Sequence, residues 1–86
     1  MEGEPFTATI RFSSDVATYV AERQWSSDQR IDMHDDGSII LHVQVYNVQE
    51  CITWILSFGD AAEVLEPDDL REEIAETIKN LYRIYF

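Results

Sequence analysis

Large apolar residues recur at every second position near the start of the chain and at every third or fourth position soon after. Phe6, Ala8, Ile10 and Phe12 alternate with Thr7, Thr9 and Arg11, the period of a half-buried strand. Ser13 or Ser14 can then cap a helix running to Arg23, with Val16, Val20, Ala17 and Ala21 along one side. Trp25 to Asp28 reads as a loop. Ile31 and Met33 precede Asp35-Asp36-Gly37, and Ile39, Leu41, Val43 and Val45 follow, which is a hairpin. A three-residue turn at 35–37 with a left-handed Gly37 sets Met33 against Ile39 and Ile31 against Leu41. A two-residue turn would set Ile31 against His42 and divide the apolar set between both faces, so register favours the longer turn.

The pattern then returns to helical spacing. Asn47 and Glu50 form an N-cap and N3 pair ahead of Val48, Cys51, Ile52, Ile55 and Leu56, and Gly59 is a natural residue just past the helix end. Residues 61–66 read as a last strand. Pro67 with Asp68 and Asp69 opens a final helix whose buried side is expected to be Leu70, Ile74, Ile78, Leu81, Tyr82 and Tyr85. Acids crowd its first half and Lys79 and Arg83 lie near its end, as the helix dipole favours. The order predicts an α+β fold: a ferredoxin-like βαββαβ sheet, helices on one face, with an additional C-terminal helix. Residues 1–5 are expected to be a linker or disordered start, and 6–86 the domain.

Composition narrows the function. Eighty-six residues hold one core, and the 45% hydrophobic content is enough to fill it. Seventeen acidic against six basic residues leave a net charge of −11, so direct binding of duplex DNA by this piece is not expected. Three of the five arginines, Arg11, Arg23 and Arg30, nevertheless fall within twenty residues. One cysteine excludes an internal disulfide and a multi-cysteine metal site; Cys51 reads as a small apolar residue on a helical stripe. No apolar run approaches the ~18 residues of a membrane span. The N-terminus lacks a secretory pattern, and a cytoplasmic location is expected.

The strand alternation places Thr7, Thr9, Arg11, Arg30, Asp32, His34, Ile40, His42, Gln44 and Tyr46 on the uncovered sheet face. RNA-recognition sheets need stacking aromatics at the central positions held here by Thr9 and His42. The hairpin register sets His34 against Ser38 and His42 against Arg30, so the two imidazoles do not converge and no metal site is expected. Tip aspartates beside a glycine are what the turn itself requires. There is no nucleophile elbow, phosphate-cradling glycine loop or HExxH, and Asp15 has the wrong charge for an acylphosphatase anion loop. No catalytic residues and no cofactor are expected, and an enzyme is not.

Four segments carry a resemblance: Ile10-Arg11-Phe12-Ser13, Glu22-Arg23-Gln24-Trp25, Trp54-Ile55-Leu56-Ser57-Phe58-Gly59 and Val64-Leu65-Glu66-Pro67. Together they make the chain, from about Phe6 to Tyr82, similar to the C-terminal extension (WCX) that follows the WYL domain in bacterial transcriptional regulators. The resemblance implies a regulatory module that contributes to dimerisation and effector response. It implies as partners an upstream winged helix-turn-helix and a WYL domain, a homodimer in the full protein, and a nucleotide-like or single-stranded nucleic-acid effector. Arg11, Arg23, Trp25, Arg30 and His42 are the candidate ligand-binding residues, the arginines as forked donors to phosphate or carboxylate. The alternative is a free-standing ferredoxin-like domain that binds a small ligand or dimerises through its open sheet face.

Overall fold

The computed structural model describes residues 4–86. The chain runs β1 (Phe6–Phe12), α1 (Ser14–Ala21), β2 (Arg30–Met33), β3 (Ile39–Val45) and α2 (Val48–Leu56). A single 3-10 turn, Gly59–Ala61, then leads into β4 (Ala62–Glu66) and α3 (Asp68–Tyr85). The four strands form one antiparallel sheet in the order β2-β3-β1-β4. This is the expected α+β arrangement, βαββαβ with a further C-terminal helix. The expectation of a linker over 1–5 falls mostly outside the described residues.

Register sorts the side chains. Ile10 opposes Leu41 and Phe12 opposes Ile39 across β1 and β3, while Ile31 opposes Leu41 across β2 and β3. These residues point beneath the helices and join Ala17, Val20, Ile52, Ile55, Val64, Leu70 and Ile74 in one core. The expected three-residue turn supplies this register: Gly37 has φ +92°, and His34 and Ser38 close the hairpin with a 3.0 Å bond from His34 N to the Ser38 carbonyl. A Cβ on Gly37 would also lie 3.0 Å from the Ser14 Cβ, so the turn needs glycine for space as well as for its backbone. On β4 the register shifts between Thr9 and Ile10, which pair with Glu66 and Val64 and leave Leu65 between them.

Local chemistry sets the element ends. Asn47 Oδ1 accepts the Glu50 amide at 2.9 Å and starts α2 as its sequence predicts. Ser13 occupies the N-cap position of α1, yet its buried Oγ has no hydrogen-bond partner among the described residues. Helix α1 ends at Ala21 rather than Arg23, because the Val20 carbonyl is taken by the Arg23 amide (3.2 Å) and the Trp25 indole (3.0 Å). β4 likewise starts one residue later than expected, the 3-10 turn taking Ala61.

The largest correction concerns α3. Leu70 and Ile74 are buried, but Ile78, Leu81, Tyr82 and Tyr85 are 50%, 41%, 64% and 76% exposed. The helix packs on β4 and α2, and Arg71 Nη1 fixes its first half by donating to the Val64 carbonyl (2.7 Å) and to Glu63 Oε2 (3.1 Å). Eighteen residues extend ~27 Å at 1.5 Å per residue. The five residues of β4 span only about 17 Å. The second half of α3 therefore outruns the body it lies on. Met33 is also 80% exposed, at the end of edge strand β2. No helix among the described residues is long and apolar enough to cross a membrane.

Candidate functional site

The five candidate residues separate into two groups on different sides of the sheet. Arg11, Arg30 and His42 lie on the open face, where alternation in β1, β2 and β3 puts them opposite the buried Ile10 and Leu41 and the half-buried Ile31. His42 is the centre of this group. Its Nε2 is 2.9 Å from Asp32 Oδ2 and 3.2 Å from Arg30 Nη2, and its Nδ1 is 3.4 Å from Thr9 Oγ1. The neutral ring carries one N–H, so the bonds are exclusive. Either Nε2 donates to Asp32 while Nδ1 accepts from Thr9, or Nε2 accepts from Arg30 while Nδ1 donates.

The carboxylates make this face electrically self-contained. Asp32 lies 3.9 Å from Arg30 Nε, and Asp36 lies 3.7 Å from Arg11 Nη2. The bond with His42 holds the Asp32 carboxyl below its ordinary range, and the charges of Arg30 and His42 add to the effect. Asp36 is lowered chiefly by the Ser38 hydroxyl (2.6 Å) and amide (2.9 Å), with Arg11 contributing less. An anion arriving here would have to compete with a resident carboxylate for each guanidinium. Sequence reading named the cations and missed this neutralisation. The signal was present: Asp32 shares a strand face with Arg30 and lies diagonal to His42.

Arg23 and Trp25 belong to the helical side. Arg23 turns back over α1, its guanidinium 3.8 Å from the Tyr19 ring centroid and its Nη1 donating to the Tyr19 carbonyl at 3.1 Å. Among the described residues it has no carboxylate partner, unlike Arg11 and Arg30, and most of its donors face water. Trp25 packs 4.8 Å from Trp54, and Trp54 and Phe58 both meet Phe12 edge-on at 5.8 and 5.1 Å. The Trp54 and Phe58 pair thus serves the core edge, while α3 docks beside Ile55 and Leu56.

Gln29 was invisible to sequence reading and organises this loop. Its Oε1 accepts the Trp25 and Ser26 amides, and its Nε2 donates to the Arg23 carbonyl at 3.0 Å. One amide side chain thereby fixes the backbone on both sides of Trp25. A glutamine in a polar loop has no spacing rule that would single it out.

Beside Trp25, a groove of about 220 Å³ opens between the end of β3 and the first turns of α2, lined by Trp25, Val43, Val45, Glu50, Cys51 and Trp54. Burial pushes the Cys51 thiol up to about 11, so it stays protonated at neutral pH and lines the groove as an apolar group. Among the described residues no group of three or more His, Cys, Asp or Glu side chains is placed to hold a metal ion. The geometry therefore offers an unneutralised guanidinium and an aromatic groove on one side, and a charge-paired polar sheet on the other.

Comparison with curated proteins gives no match. The family model of the WCX domain, in contrast, matches residues 4–82, from before β1 to the exposed turns of α3. That span takes in the sheet, the aromatic residues around Trp25 and Trp54 and every candidate residue, and the chain belongs to the WCX domain family.

Proposed function

We propose that this WYL-associated regulatory domain is the assembly and effector-response module at the C-terminal end of a WYL-type transcriptional regulator. The observation that carries the reading is the family match over residues 4–82. Two features of the molecule support it. The −11 charge leaves operator contact to helix-turn-helix and WYL segments elsewhere in such a regulator. The exposed apolar half of α3 is a surface of the kind that marks association. The module acts by binding and not by turnover.

Its effector is an anion of nucleotide or single-stranded nucleic-acid type. Arg23 supplies the ready donor beside Trp25, and Arg11, Arg30 and His42 are second contacts that must first release Asp36 and Asp32. The test is a titration with a short single-stranded oligonucleotide and with a nucleotide at two salt concentrations. Both tryptophans line the groove, so intrinsic fluorescence reports occupancy. Expected are a response that weakens as salt rises and a loss of about tenfold or more in affinity for Arg23→Ala. An unchanged affinity in Arg11→Ala, Arg23→Ala and Arg30→Ala alike would sink the anion site.

The aromatic groove favours a second reading, a free-standing ferredoxin-like domain that binds a small apolar ligand. Salt-independent quenching by an uncharged aromatic probe, with no response to the anions, would select it.

A further inference from the structure

We propose that α3 is a self-association seam through which two copies of this chain pair antiparallel about Ile78, Leu81 and Tyr85. The proposal rests on the assembly reading above and gives that reading its surface and its occupant.

Ile74, Ile78, Leu81 and Tyr85 are spaced four, three and four residues apart, the a/d repeat by which one helix reads another. Only the first is spent on the domain's own core; the other three are exposed. At roughly 100° per residue, the positions flanking the exposed part of this row are Ala75, Thr77, Tyr82 and Ile84, none of them charged; Arg71 and Glu73 flank it only at its buried end, beside Ile74. Asp69, Glu72 and Glu76, with Lys79 and Arg83, fall on the reverse of the helix.

That distribution selects the occupant. A chain with seventeen acids and six bases repels its own copy over most of its surface. Along the exposed part of this row, from Ile78 to Tyr85, two copies meet without bringing carboxylates together. A basic partner, by contrast, finds no acid here to recognise.

The area fits as well. A standard interface buries about 800 Å² per partner. Tyr82, Tyr85 and Phe86 are 64%, 76% and 90% exposed. At about 150–250 Å² for each ring, they bring on the order of 450 Å². Ile78, Leu81 and Ile84 supply much of the remainder.

A two-fold axis fixes the register. Setting Ile78 opposite the second copy's Leu81 sets Leu81 opposite its Ile78 and Tyr85 opposite its Ile74. Ile74 and Ile78, with Ile55, Leu56, Ala62 and Val64, line a groove of about 200 Å³ between α2, β4 and α3. Each copy's terminal aromatic residues thus arrive at a groove already present on the other.

Sedimentation analysis of the full chain over a wide concentration range tests the seam. Expected is a monomer–dimer equilibrium whose dissociation constant rises at least 100-fold in Ile78→Glu/Leu81→Glu and about tenfold in Tyr85→Ala, with unchanged far-UV circular dichroism. A wild-type dimer that persists in the double variant overturns the seam and leaves the assembly reading standing. A wild-type chain monomeric at every concentration overturns both. For orientation, Ile78→Cys and Leu81→Cys chains, each with Cys51→Ser, are oxidised singly and mixed. Faster cross-linking in the mixture supports the register, and faster self-cross-linking of Ile78→Cys overturns it.

Discussion

Two ends of this molecule are rich in aromatic residues, and only one of them is packed. At the first end Phe12, Tyr19, Trp25, Trp54 and Phe58 form a continuous group of tilted and edge-on rings that closes the core between α1 and α2. At the other, Tyr82 stacks on Phe86 at 5.0 Å and both rings face water with Tyr85. Both ends carry rings four residues apart, Trp54 with Phe58 and Tyr82 with Phe86. The difference lies in what stands opposite. Phe12 on the sheet gives the first group a floor, whereas the second half of α3 has run past β4 and has none. An apolar stripe states which face of a helix seeks cover, and the length of the neighbouring element decides whether the cover exists.

The contrast is broken most severely at its packed end. Phe12 is fully buried beneath Trp54 and Phe58, and Phe12→Ala removes the ring that joins sheet to helices. The expected cost is about 3–5 kcal/mol. That is a large share of the stability available to a domain of this size, roughly 5–15 kcal/mol. Urea denaturation followed by tryptophan emission measures it. A loss below about 1 kcal/mol would mean that the aromatic group is no better packed than the tail of α3.

Gln29→Ala tests the same end through its polar frame. It removes the acceptor of the Trp25 and Ser26 amides and the donor to the Arg23 carbonyl. The expected loss is about 1–2 kcal/mol, since these partly buried groups can recover some bonds to water. It should be accompanied by a red shift in emission as Trp25 loosens. A stability loss without any spectral change would place the role of Gln29 elsewhere than at Trp25.

The sheet and its register were legible because the evidence for them is local. Asp35-Asp36-Gly37 fixes the loop length, loop length fixes which residues oppose, and alternation then assigns Ile31, Leu41 and Ile10 to one face and Arg30, His42 and Thr9 to the other. The Asn47 cap was legible for the same reason. What the sequence did not disclose depends on distances between elements. Period predicts that Ile78, Leu81, Tyr82 and Tyr85 share a face with Ile74, and they do, but not that α2 and β4 stop short of them. Within the candidate site the residue types were visible and their pairing was not. Arg11 reaches a turn carboxylate, Asp36, and Arg23 stacks on Tyr19, and both choices depend on side-chain reach rather than spacing.

The open face gives a weaker contrast that is read by pH. Folding lowers the Asp32 carboxyl chiefly through its bond with His42. A depressed carboxylate contributes stability that is fully present above its ordinary value, about 4, and fades as pH falls through the lower folded one. The stability difference between wild type and Asp32→Asn is therefore expected to be small at about pH 5 and to shrink below about pH 4. Paired urea titrations at those values check it. A difference that grows as pH falls below about 4 would mean that the carboxylate is destabilised in the fold, contrary to its contacts with His42 and Arg30.

The smallest effect is expected at the unpacked end, and it sharpens the comparison most. Tyr82 is about as large as Phe12, belongs to an equally apolar stripe, and touches little beyond Phe86 in its own chain. In dilute protein Tyr82→Ala should cost no more than about 0.5 kcal/mol, as for a surface change away from any packed feature. Burial in a second copy adds a loss that appears only as concentration rises, because association stabilises the folded state by mass action. Thermal melts of wild type and variant across a wide concentration range separate the two cases. Curves that differ by a constant amount of 1 kcal/mol or more at every concentration would show the tail of α3 covered within its own chain, and the two aromatic ends would then be of one kind.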